Sequence, residues 1–71
     1  MNIPEKRDEY IQLDQFLKFQ NLVASGGEAK VLIREGQVSV NGETETRRGR
    51  KLRKGDSVEF EGKIYKVELT D

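Results

Sequence analysis

The sequence predicts an α+β fold, two short helices packed on a small, mostly antiparallel sheet. Three observations lead there. Apolar residues fall at helical spacing through the first half, the spacing changes to every second residue after Gln37, and glycines stand where the chain must reverse. With 71 residues there is room for one domain, and a chain this short is only marginally stable. The apolar fraction is 34% and the charged fraction 37%, a balance also found in disordered chains, but the periodicity decides for a folded one.

Residues 1–9 are polar, hold the only proline and read as a flexible tail, so the domain itself is expected over 10–71. Leu13, Phe16 and Leu17 then share one helical face, with Asp14 early and Lys18 late, as the helix dipole favours. The first helix is expected from Leu13 to Gln20. Asn21 to Ala24 form a connector whose apolar residues, Leu22 and Val23, pin the helix pair together. Ser25 followed by Glu28 is a capping-box pattern, in which hydroxyl and carboxylate each satisfy a free amide at a helix start. Ala29, Leu32 and Ile33 give the second helix, Gly26 to Glu35, its apolar face. Gly36 suits the left-handed position beyond its end.

Val38 and Val40 alternate into a strand, and Asn41-Gly42 is the strongest short hairpin signal a sequence offers. Glu43 to Thr46 form the return strand. Gly55-Asp56 marks a turn, Val58 and Phe60 point inward, and Glu61-Gly62 makes a second hairpin. The closing strand carries Tyr65, Val67 and Leu69 on one face and Ile64 on the other.

Between the return strand and Gly55 lies the most informative stretch, Arg47-Arg48-Gly49-Arg50-Lys51-Leu52-Arg53-Lys54. It packs six cations into eight residues without a carboxylate, while the remainder of the chain carries seven Lys/Arg against thirteen Asp/Glu. The formal net charge of zero therefore hides a concentrated positive field, the footprint of a protein that grips a polyanion. Gly49 permits a tight bend, so the run need not be a plain strand sending half its charges to each face.

Other functions are poorly supported. Cysteine and histidine are both absent, which removes disulfides, thiolate metal sites, the commonest metal ligand and the commonest general base. No glycine pattern for nucleotide phosphates is present and no carboxylate pair has an acid/base arrangement, so neither catalysis nor a cofactor is expected. Residues 1–9 have no hydrophobic centre for a signal peptide, and no stretch approaches a membrane span. A cytoplasmic location is expected.

Taken in order, Leu13-Asp14-Gln15-Phe16-Leu17-Lys18, Ser25, Ala29-Lys30, Leu32-Ile33, Glu35-Gly36, Val38 and Val40-Asn41-Gly42 resemble the S4 RNA-binding domain. The resemblance covers Gln12 to about Asp56. A closer likeness is to short stand-alone bacterial versions, where Gly26-Gly27-Glu28-Ala29-Lys30 and Glu45-Thr46-Arg47-Arg48-Gly49-Arg50-Lys51-Leu52 recur. It implies an αL-type fold with structured RNA held across the helix pair and the following hairpin, the RNA being ribosomal RNA or a ribosome-associated, assembling particle. It also implies that Lys18, Lys30 and Arg34 stand where the family places basic side chains. One departure is plain: the family's arginines after the capping serine are replaced by Gly26 and Gly27.

Arg47, Arg48, Arg50, Lys51, Arg53 and Lys54 are thus the principal candidate contacts, since A-form RNA is read mainly through phosphates, 2′-hydroxyls and shape. Six phosphate contacts would give a log–log salt slope of roughly −4. Neutralising Arg47, Arg48 and Arg50 together is expected to weaken binding and leave folding nearly intact. Gly26 and Gly27 either open helix amides to a phosphate or act as a hinge. Of the aromatic residues Tyr10, Phe16, Phe19, Phe60 and Tyr65, all able in principle to stack on bases, Phe16 and Phe60 belong to the core. Phe19 falls off the apolar stripe, although packing in a second core is expected for it. A protein-interaction module docking an acidic partner, or sequence-tolerant DNA binding, would use the same patch.

Overall fold

The computed structural model describes residues 9–69. Apart from Glu9, the expected tail lies outside the described residues. The elements are β1 (Ile11–Gln12), α1 (Leu13–Phe19), α2 (Gly26–Arg34), β2 (Val38–Val40), β3 (Glu43–Thr44), β4 (Lys51–Leu52), β5 (Ser57–Phe60) and β6 (Lys63–Lys66). The α+β class holds, and every strand pairing is antiparallel.

Four strands form one sheet in the order β3-β2-β5-β6, and β1 with β4 forms a separate two-stranded ladder. That ladder, with Ile11 opposite Leu52 and Gln12 opposite Lys51, was not legible in the sequence. Two residues are too few to show an alternation, and β4 lies inside the basic run. The return strand is also shorter than expected. After Thr44 the chain keeps one more bond, from the Glu45 amide to the Val38 carbonyl at 2.9 Å, and then turns away.

Each helix is closed by local chemistry. At the start of α2 the Ser25 hydroxyl accepts from the Glu28 amide at 3.2 Å. The Glu28 carboxylate returns to the Ala24 amide at 2.9 Å, one residue before the capping position of the standard box. Both helices end in the paired bonds of a Schellman turn. In α2 the Gly36 and Gln37 amides bond Ile33 and Leu32, and in α1 the Asn21 and Leu22 amides bond Lys18 and Leu17. Asn21 takes the left-handed conformation there, with φ of 61°, a role the sequence reading left unassigned. Both two-residue hairpins have positive φ at their two central residues, Asn41-Gly42 and Glu61-Gly62, which matches strand twist.

The core unites the two layers. Leu13, Phe16 and Leu17 of α1, Val23 of the connector, and Ala29 and Ile33 of α2 are buried with Val38, Val40, Val58, Phe60 and Val67 from the sheet side. Leu52 is wholly buried among them, although its flanking residues, Lys51 and Arg53, are exposed. Phe19 does not join a second core: it is 77% exposed, because it ends α1 on the side away from the buried stripe.

Candidate nucleic-acid interface

The basic run is fixed to the domain in three ways. Its backbone closes the start of α1: the Leu13 amide donates to the Arg50 carbonyl at 2.9 Å and the Asp14 amide to the Arg48 carbonyl at 3.1 Å. These are amides that a helix cannot satisfy internally. Its one apolar residue, Leu52, is buried in the core. Two of its side chains, those of Arg47 and Arg50, are held by Glu45, the buried charged residue among the described ones, at 6% exposure.

Glu45 accepts from the Arg47 amide at 3.0 Å, from Arg47 Nε at 2.8 Å and Nη2 at 3.1 Å, and from Arg50 Nη1 at 2.7 Å. A buried carboxylate is tolerable only when paired in this manner. The Arg47 bonds, aided by those of Arg50, hold the Glu45 carboxyl at about 2 instead of 4.5, against the upward push of burial. The same contact pulls Arg47 further up. Each guanidinium has more donors than Glu45 uses, so both keep N–H groups free for a second anion. Gly49 sits in the intervening turn, which the Arg50 amide closes onto the Arg47 carbonyl at 3.2 Å.

Beyond β4 the run ends in a second clip. The Asp56 carboxylate accepts from the Arg53 amide at 2.8 Å and from the Asn41 side-chain amide at 3.2 Å. The Asn41 side-chain carbonyl in turn accepts from the Ser57 amide at 2.9 Å. Asn41 therefore anchors the far end of the run as well as making the hairpin.

The result is a shallow groove of about 580 Å³ lined by Arg47, Gly49, Arg50, Lys51 and Arg53. Arg48 and Lys54 are exposed, and their side chains have no hydrogen bond or ion pair among the described residues. Glu45 reduces the field only slightly, because one carboxylate stands against six cations. Lys18 and Arg34 are exposed in the last turns of α1 and α2, and Lys30 is half-buried on α2. None of the three lines the groove.

Gly26 and Gly27 are the first two residues of α2, where the expected second helix begins. Their amides donate to no acceptor among the described residues, and a Cβ on Gly26 would meet nothing within 4 Å. Glu45 was missed as a site residue because nothing in a solvent-exposed-looking Glu-Thr-Glu-Thr strand marks one carboxylate as buried. The available signal was its spacing of two from Arg47. The Glu45 pairing also revises the expected variant: removing Arg47 and Arg50 together would strand a buried carboxylate and cost stability.

A capped helix pair followed by an Asn-Gly hairpin and a docked basic loop defines an S4 domain. The chain matches the S4 domain family over residues 5–68 and belongs to it. The probable ribosome maturation protein RlbA of Bacillus subtilis is 54% identical over 54 residues, 76% of each chain. The putative RNA-binding protein YbcJ of Escherichia coli is 40% identical over 58 residues, 82% of this chain and 83% of that one. The structure of 30S ribosomal protein S4e from Thermoplasma acidophilum matches 84% of this chain with a TM-score of 0.64 and 23% identity. This chain spans 32% of that protein, and the likeness is one of fold.

Proposed function

We propose that this chain is a non-catalytic RNA-binding module that holds structured RNA, specifically ribosomal RNA or an assembling ribosomal particle, in the cytoplasm. The observation that carries the proposal is the groove built from Arg47, Arg50, Lys51 and Arg53, whose backbone is docked on the domain and whose Arg47 and Arg50 side chains are held by Glu45 before any ligand arrives. Pre-ordered cations lose less entropy on binding than a free basic tail would. Arg48 and Lys54 extend the charge outside the groove, and Lys18, Lys30 and Arg34 extend it over the helix pair. Membership of the S4 family supports the RNA assignment, and the name of the Bacillus subtilis relative supports a role in ribosome maturation. No helix among the described residues is long and apolar enough to cross a membrane, and no group of side chains there could hold a metal ion.

The test is competition at fixed salt. A structured ribosomal RNA fragment is expected to displace a bound fluorescent RNA at lower concentration than duplex DNA of equal length. Equal competition by DNA would move the assignment to sequence-tolerant DNA binding. Displacement by neither, with capture of an acidic protein instead, would move it to protein docking.

A further inference from the structure

Tyr10 stands immediately before β1, directly alongside the basic strand. Its ring carries Lys51 Nζ at 4.8 Å and the Arg53 guanidinium carbon at 5.7 Å from its centroid. Both cations also line the groove. The β1–β4 register explains the placement: Ile11 opposes Leu52, so the residue before Ile11 falls beside Arg53 on the face turned away from the core. The Arg53 guanidinium further donates to the Glu9 carbonyl at 3.3 Å, which ties this corner together. Tyr10 is 44% exposed.

The other aromatic residues lack this combination. Phe16 and Phe60 are buried and Tyr65 is half-buried. Phe19 is open but borders a different, mostly apolar hollow formed with Ile11, Val67 and Leu69. Tyr10 alone among the described aromatic residues combines a partly exposed ring with contact to two cations of the groove, which it adjoins without lining it. That pairing of a charged track with an aromatic platform is how proteins hold unpaired nucleotides, because every base has a face to stack while only unpaired ones can offer it.

We propose that Tyr10 is a base-stacking platform, and that the groove takes RNA with an unpaired nucleotide, in a bulge, loop or junction, in preference to an unbroken duplex. The inference rests on the RNA-binding reading above and names the ligand class of that same groove. Lys51 and Arg53 hold the ring in the free protein and turn to the flanking phosphates when the base arrives.

The experiment uses two probes, an RNA hairpin with a single bulged purine in its stem and the same hairpin without the bulge, each stem closed by a non-nucleotide linker so that neither carries an unpaired loop. The wild type is expected to prefer the bulged hairpin. Tyr10→Leu is expected to weaken the bulged complex roughly 5- to 150-fold, the range for one stacked base, and to leave the unbroken hairpin nearly unaffected. Tyr10→Phe is expected to keep the preference. A second readout comes from the composition: there are two tyrosines and no tryptophan. In a Tyr65→Phe background Tyr10 is the remaining fluorophore, and its emission is expected to be quenched by the bulged hairpin with the midpoint of binding. Equal weakening of both complexes by Tyr10→Leu, or unaltered emission at saturation, would overturn the stacking role while leaving RNA binding intact. If the wild type binds neither hairpin, the RNA-binding reading itself falls, and the stacking role with it.

Discussion

Arg50 Nη1 lies 2.7 Å from Glu45 Oε1, and through that contact a buried carboxylate orders an exposed cationic loop. Arg47 joins from the other side at 2.8 Å, so the loop between them is closed by side chains as well as by its own turn. Glu45 is thus a positioning residue, holding two guanidiniums with their remaining donors outward. The charge it subtracts is small beside the order it imposes.

This pairing makes stability fall in acid over a defined window. The folded-state value of about 2 lies below the ordinary 4.5, so the contribution is complete above pH 4.5 and is lost as pH falls through 2. Arg47 is largely open to solvent, and screening by water reduces the contribution well below that of a fully buried pair. Thermal unfolding of wild type and Glu45→Gln between pH 2 and 6 checks this. The difference between them is expected to shrink toward the acid end, and a constant difference would remove the ion pair as its source.

Leu52→Ala is expected to destabilise the fold by about 2–5 kcal/mol, the range for truncating a fully buried leucine. Replacing the adjacent Lys51 by alanine should cost well under 1 kcal/mol, as exposed positions do. Urea unfolding of the two variants measures both. Similar small effects would mean that the run is a loose loop.

Gly26→Ala is expected to stabilise α2 by up to about 0.5–1 kcal/mol, since the site is helical and open. RNA titration of the same variant decides the role of the neighbouring amides. A fall in affinity alongside the gain in stability would place a phosphate there, and unchanged affinity would take the glycine pair out of the interface.

The helices, the caps of α2 and the two hairpins were legible because each rests on a local signal: the Ser25–Glu28 spacing, Gly36 after an apolar stripe, and Asn41-Gly42 between alternating residues. What escaped depends on contacts between distant segments. The basic run reads as uninterrupted charge, so nothing local shows that Leu52 drops into the core or that Ile11 pairs with it. The burial of Glu45 follows from where the chain turns after Thr44, which neighbouring residues do not reveal. Tyr10 was only one of several aromatic candidates until the β1–β4 register set it beside Lys51 and Arg53.

The central claim, that the basic run is an ordered RNA-binding surface, is tested most directly by the salt dependence of RNA affinity in the Arg48→Ala/Lys54→Ala variant. Neither side chain pairs with a carboxylate among the described residues, so unfolding in urea is expected to match the wild type. Affinity for a structured ribosomal RNA fragment should fall, and the slope of log K against log salt should become shallower by about 1.4, the loss of two phosphate contacts. An unchanged slope and affinity in a variant that folds normally would contradict the account.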